Sequence, residues 1–227
     1  MTLKLNIYVV KNGKKVYNYI RMLINENGGS MNLPNKLTIA RMCAIPLVII
    51  VSLIKPLQTV FNNFNLQFLI LLVVFVLASI TDFLDGHIAR KNNIVTNFGK
   101  FMDPLADKLL VMSTLIILLE LGNFSAFGVS FGFVIIIILA RELAITGLRT
   151  LAADNGVVIA ASKLGKIKTV SQMIMIIYIL GVNIFNVPVD NLINNIIITI
   201  LVTFATLMTL VSGIDYFVKN KGVLKEH

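Results

Sequence analysis

The sequence predicts an all-α integral membrane protein with six transmembrane helices and both termini in the cytoplasm, and three observations predict it. The 227 residues are 57% hydrophobic and only 14% charged, with a mean hydropathy of +0.87. A water-soluble domain carries about a quarter charged residues, so most of this surface suits lipid rather than water. Six apolar runs are long enough to cross a hydrocarbon core of about 30 Å. Lys and Arg gather on alternate connections between those runs, the pattern of cytoplasmic loops.

The six runs are 37–55, 66–90, 99–120, 130–150, 164–183 and 192–217. None alternates with the period of two that a barrel strand needs, and an open sheet leaves backbone groups unpaired in lipid, so each run reads as a helix. Leu66 to Ile80 and Phe133 to Ala140 have few internal breaks, while Asn-Asn, Pro and Gly cluster in the connections at 62–65, 92–99, 121–130 and 182–191. The connections 56–65, 121–129 and 184–191 hold no Lys or Arg, and only Lys55 borders that side. The other side collects the amino-terminal tail, Arg90, Lys91, Lys100, Arg149, Lys163, Lys166, Lys168, Lys219, Lys221 and Lys225.

The first 30 residues form a basic extension with Lys4, Lys11, Lys14, Lys15 and Arg21, and its apolar stretch Leu5 to Val10 is too short for a signal-peptide core or a span. Met31 offers an alternative natural start. The chain therefore divides into residues 1–30, native or added, and a single six-helix domain over 31–227.

A formal charge of +9 could suit nucleic acid, but here the basic residues flank membrane-length runs and record topology, so nucleic acid is not expected as a partner. Cys43 is the sole cysteine, which excludes an internal disulfide, and His87 and His227 are too few for a His-rich metal site. Any metal would rest mainly on carboxylates.

Carboxylates do cluster where the second run ends and the third begins. Asp82 and Asp85 are three apart, Asp103 and Asp107 four apart, so on helices each pair projects from one face. Two helices joined by a short loop are antiparallel neighbours, and the pairs then lie at similar depth on either side of a loop centred near Ile94 and Val95. Four converging negative charges repel strongly at reduced dielectric unless a cation compensates them. Oxygen-only ligands suit a hard divalent ion, Mg²⁺ or Mn²⁺. The competing reading is that these aspartates cap helices or pair with Arg90, Lys100 and Lys108. Gly86 and Ala89 leave one flank of the helix nearly bare for something flat, and Arg90 offers a planar fork to phosphate oxygens. Pro104 sits either in the first turn of the third helix or within it.

The string Asp82-x2-Asp85-Gly86-x2-Ala89-Arg90-x8-Gly99-x3-Asp103-x3-Asp107 resembles, without a departure, the signature of the CDP-alcohol phosphatidyltransferase family. That resemblance implies a six-helix membrane enzyme, commonly a homodimer, with two divalent ions held by the aspartates. It implies transfer of a phosphatidyl or similar phospho-group from a CDP-linked donor to an alcohol, with release of CMP. Asp82, Asp85 and Asp103 then read as metal ligands, Asp107 as the general base that also touches a metal, and Gly86, Ala89, Arg90 and Gly99 as the donor site. No Ser, Cys or His stands in a convincing nucleophile arrangement, so direct displacement is expected.

For the acceptor, Arg141 and Glu142 lie within the fourth run, Arg149 two turns on, and Lys166 and Lys168 open the fifth. An Arg that deep in lipid needs a partner. Either it pairs with Glu142, or Arg141, Arg149, Lys166 and Lys168 form a basic pocket for an anionic acceptor. The stretches 35–41, 95–108, 140–149 and 164–169 are similar to family members whose donor is CDP-diacylglycerol and whose acceptor is sn-glycerol 3-phosphate, over about residues 31–217. Membrane lipids and a bacterial cytoplasmic membrane, with the active site facing the cytoplasm, follow from that resemblance. The alternatives are another acceptor in the same family (inositol phosphate, serine or phosphatidylglycerol) or a divalent-cation transporter. Transport needs polar groups continuing across the membrane, and the outer side offers only Glu120 and Asp190.

Overall fold

A computed structural model describes residues 33–54, 64–92, 97–157, 159, 160, 162–185, 187, 188 and 191–224, with side chains described throughout these except at 33–36, 82–92, 97–101, 103, 104 and 107. The amino-terminal extension 1–30 lies outside the described residues. Within them the chain forms six α-helices: α1 (Leu33–Leu53), α2 (Leu66–Asn92), α3 (Asn97–Glu120), α4 (Gly132–Asp154), α5 (Lys163–Ile184) and α6 (Leu192–Lys219), followed by a 3₁₀ turn at Lys221–Leu224. Between α3 and α4, β1 (Ser125–Ala126) and β2 (Val129–Ser130) pair antiparallel. Sequence reading saw only a turn cluster there; Phe127 and Gly128 both take positive φ, at 51° and 76°, the conformation that lets a two-residue turn match strand twist.

The helix ends follow from local chemistry. Asn65 starts α2 by accepting from the backbone N–H groups of Gln67 and Phe68 at 3.1 and 3.4 Å. Ser162 caps α5 through Gly165 N–H at 3.0 Å, and Asn191 caps α6 through Asn194 N–H at 3.0 Å, each satisfying a donor that has no helical partner. Gly122 (φ 76°) and Gly156 (φ 71°) end α3 and α4. The amides of Asn123 and Val157 reach back to the carbonyls of Leu118 and Ala152 at 2.9 and 2.8 Å, a left-handed closure that favours glycine.

α1 packs on α2 and α3, α2 also on α5, α5 on α6, and α4 on α6. Leu71 and Phe75 of α2, Leu115 and Leu118 of α3, Ile138 of α4 and Met175, Ile176, Ile179 and Leu180 of α5 fill the centre. The outer faces remain apolar: Ile136, Leu143, Ile193, Ile200 and Ile214 are all at least 60% exposed. Apolar side chains inside and outside together are what a lipid solvent permits. In lipid the centre gains van der Waals contact rather than water exclusion, so buried hydrogen bonds such as Gln172 Nε2 to Thr209 Oγ1 at 3.1 Å matter at about 0.6–2 kcal/mol each. Gln67 Nε2 donates to the Val51 and Ser52 carbonyls at 3.0 and 2.9 Å, tying the end of α1 to the start of α2.

Among the described residues two helices, Lys163–Ile184 and Leu192–Lys219, are long and apolar enough to cross a membrane; α1 and α2 carry the shorter apolar stretches Leu37–Leu53 and Leu66–Thr81. In α3 and α4 the ionisable residues Asp103, Asp107, Lys108, Arg141 and Glu142 interrupt the apolar runs. The architecture is that of an all-α membrane protein.

Candidate active site

The acidic signature straddles the junction of α2 and α3. Asp82 and Asp85 lie near the end of α2, Asp103 and Asp107 near the start of α3, and the helices touch. Asp85 is seven residues before Asn92 and Asp103 six after Asn97, about 10 and about 9 Å along their axes from the facing helix ends. α3 begins at Asn97, so Pro104 lies inside the helix rather than in its first turn. The side chains of Asp82, Asp85, Gly86, His87, Ala89, Arg90, Gly99, Asp103 and Asp107 lie outside the described residues. Among the described residues no three His, Cys, Asp or Glu come together.

α1 packs on both α2 and α3. Thr38 and Arg41 are both 1% exposed. Arg41 lines a cavity of about 270 Å³ between α1 and α2, with Ala44, Leu47, Ala78 and Thr81. Thr81 directly precedes Asp82, which brings Arg41 to the level of the acidic segment. Sequence reasoning quoted Arg41 only within a resemblance, yet the rule applied to Arg141 would have found it: an arginine inside an apolar run rarely stands without a reason.

The basic residues are arranged around one carboxylate. Glu142 Oε1 accepts from Arg141 Nη1 at 2.8 Å and from Lys168 Nζ at 2.5 Å, and its Oε2 lies 3.9 Å from Lys108 Nζ. Lys168 is buried. Arg141 Nη2 also donates to Ser212 Oγ at 3.0 Å. Thr146 Oγ1 accepts from Lys108 Nζ and donates to the Glu142 carbonyl at 2.7 Å. Thus α3, α4, α5 and α6 all contribute to one polar knot. A cavity of about 30 Å³ lies against it, lined by Lys108, Glu142, Lys168, Thr169 and Gln172 among apolar side chains. Among the described side chains three cations face one carboxylate, a positive excess that suits an anion.

Of the four cations that the sequence singled out, Arg141 and Lys168 meet at Glu142. Arg149 lies two turns further along α4, its Nε donating to Tyr216 Oη at 2.8 Å and its guanidinium 5.4 Å from that ring's centre. Lys166 is exposed. Sequence reasoning weighed Lys108 only as a partner for the aspartates; one residue past Asp107, it is turned about 100° around the helix axis from that aspartate, toward α4. Ser212 and Tyr216, four apart on α6, carried no signal beyond their spacing on one helix face.

The family model for CDP-alcohol phosphatidyltransferases matches residues 31–214. The CDP-diacylglycerol--glycerol-3-phosphate 3-phosphatidyltransferase of Bacillus subtilis (strain 168) is 42% identical over 198 residues, covering 86% of this chain and 97% of that protein. The protein of the same name from Rickettsia bellii (strain RML369-C) is 42% identical over 187 residues, covering 82% and 93%, and that from Mycoplasma pneumoniae is 41% identical over 155 residues, covering 64% and 66%. With the acidic signature at a helix junction and a family match over most of its length, the chain belongs to the CDP-alcohol phosphatidyltransferase family.

Proposed function

We infer that this chain transfers the phosphatidyl group of CDP-diacylglycerol to sn-glycerol 3-phosphate, giving phosphatidylglycerophosphate and CMP. The observation that carries this reading is the intact signature from Asp82 to Asp107, spread over the end of α2 and the start of α3. The relatives' shared name supports the choice of donor and acceptor, as does a knot of net positive charge one residue from the signature's last aspartate. A neutral acceptor would not need that charge.

The donor set fits divalent ions: four carboxylates, no thiolate, and His87 on a different face of the helix. Asp82, Asp85, Asp103 and Asp107 would hold two ions, Mg²⁺ or Mn²⁺. Bound there, the ions would neutralise the pyrophosphate of the donor and favour CMP as leaving group. Gly86 and Ala89 accommodate the cytidine, with Gly99 completing the donor site, and Arg90 binds donor phosphates. Asp107 accepts the proton of the acceptor hydroxyl as its oxygen attacks the lipid-proximal phosphorus; the bond from that phosphorus to the CMP oxygen breaks in the same displacement. Of the four cations expected to bind the acceptor phosphate, Arg141 and Lys168 do so at the knot, while Arg149, held on Tyr216, and the exposed Lys166 stand outside it.

In this reading residues 31–227 form one catalytic domain, and residues 1–30 are a basic extension outside it. Six spans place both termini and the acidic junction at the cytoplasmic face of a bacterial membrane, where soluble glycerol 3-phosphate meets the lipid donor, and the enzyme acts as a homodimer. Purified protein given CDP-diacylglycerol, glycerol 3-phosphate and Mg²⁺ should yield phosphatidylglycerophosphate, read by mass spectrometry of the lipid extract, and a chelator should stop it. An unchanged lipid pool, or full activity in excess chelator, refutes the assignment.

A further inference from the structure

The knot contains a carboxylate that an anion-binding pocket does not obviously want. Glu142 sits among groups proposed to receive a phosphate, and its negative charge opposes that ligand. Its geometry supplies a reason. One oxygen, Oε1, bonds both Arg141 and Lys168 at 2.8 and 2.5 Å, while Oε2 faces Lys108 at 3.9 Å. Arg141 Nη2 is held at the same time by Ser212, and Lys108 by Thr146, whose own hydroxyl is anchored on the Glu142 carbonyl. Long cationic side chains lose the most rotamer freedom on ordering, and two or three unpaired cations would also spread apart by repulsion. A shared carboxylate removes both problems before the ligand arrives. The same carboxylate links α4 to Lys108, which follows Asp107 directly on α3, so the place of the phosphate is set relative to the acidic helix.

We propose that Glu142 is the positioning residue of the acceptor-phosphate pocket, holding Arg141, Lys168 and Lys108 in one fixed array so that a phosphomonoester is bound at a set distance from Asp107. This rests on the function inferred above. Two physical effects oppose each other when the charge is removed: losing the array weakens phosphate binding, whereas taking away a negative charge beside the ligand strengthens it. The array dominates, because Glu142 is the one carboxylate among the described residues that joins all three cations, at 2.5, 2.8 and 3.9 Å.

The test is steady-state release of CMP by the purified full chain in CDP-diacylglycerol micelles, titrated with glycerol 3-phosphate, for wild type, Glu142→Gln, Lys168→Gln and the double variant. Glu142→Gln should raise the acceptor KM about tenfold and leave the donor KM within about twofold. In the Lys168→Gln background the same change should raise it less than about threefold, because the two residues act as a unit. An acceptor KM that falls, or donor and acceptor constants that rise together, overturns the proposal, the first by making Glu142 a plain counter-charge and the second by making it a prop of the fold. Should Glu142→Gln fail to fold, Glu142→Asp keeps the charge and shortens the reach by one methylene; it should raise the acceptor KM about threefold, and an unchanged value overturns the proposal equally. A wild-type chain that releases no CMP with glycerol 3-phosphate sinks the functional reading instead, so the two failures are distinct.

Discussion

Replacing Lys168 with Met tests the basic knot most sharply, because the substitution keeps an unbranched stem and removes only the charge. Lys168 is 5% exposed and gives its ammonium to Glu142 at 2.5 Å. Removing one partner of a buried pair costs about 3–5 kcal/mol when the other is left alone. Here Glu142 keeps Arg141 at 2.8 Å and Lys108 at 3.9 Å, so the loss to the fold is nearer that of one charge-assisted hydrogen bond, about 1.5 kcal/mol. For the acceptor, a bare Coulomb estimate between one cation and a phosphate dianion at about 4 Å and an effective dielectric of about 20 gives about 8 kcal/mol. That figure ignores the cost of stripping water from the ammonium and the phosphate, which offsets most of it. The hydrogen-bond scale of about 1.5–3 kcal/mol is the better guide, and it corresponds to a rise of about 10- to 150-fold in the acceptor KM. The assay is CMP release from CDP-diacylglycerol micelles at varied glycerol 3-phosphate, with the donor KM as internal control. A folded variant whose acceptor KM stays within about twofold of wild type refutes the placement of Lys168 in the acceptor pocket.

Three further outcomes are expected. Asp107→Asn should lower kcat by about 10²–10⁴ while CDP-diacylglycerol still binds, measured by equilibrium binding of the labelled donor; near-normal turnover contradicts its role as base. Gly213→Ala places a methyl 3.2 Å from Arg141 Cγ and should raise the acceptor KM about threefold by displacing the guanidinium, whereas Gly181→Ala, with nothing within 4 Å, should leave it unchanged; equal effects at both positions refute the steric argument. Deleting Met1 to Ser30 should leave kcat within about twofold and the elution volume in size exclusion that of the remaining domain, since the family match begins at residue 31; loss of either measure gives the extension a role.

The helices were legible in the sequence because lipid imposes one simple rule, long apolar runs with satisfied backbones, and every predicted run has its helix within a few residues. Boundaries shifted outward at Ser162 and Gly156, where a capping side chain and a glycine set the ends, while α2 starts at Leu66 as expected. The hairpin at Ser125–Ser130 was not legible as strands, since two-residue strands leave no periodicity to read. The acidic signature was legible because its spacing has chemical meaning. The knot around Glu142 was half legible. Arg141 and Lys168 announced themselves as charges in apolar runs, but Lys108 and Ser212 come from helices whose rotation about their axes no single sequence specifies. That rotation is a property of packing, and it decides that Arg149 lies on Tyr216 while Lys168 points inward.

The central claim, a metal-dependent phosphatidyl transfer to a phosphorylated alcohol, is tested most directly by giving the purified chain CDP-diacylglycerol with Mg²⁺ and, in separate reactions, glycerol 3-phosphate, inositol phosphate, serine and phosphatidylglycerol, and measuring CMP released in each. The account predicts rapid release with glycerol 3-phosphate alone, abolished by chelation and restored by Mg²⁺ or Mn²⁺. Faster release with serine or phosphatidylglycerol, or release indifferent to the chelator, contradicts it.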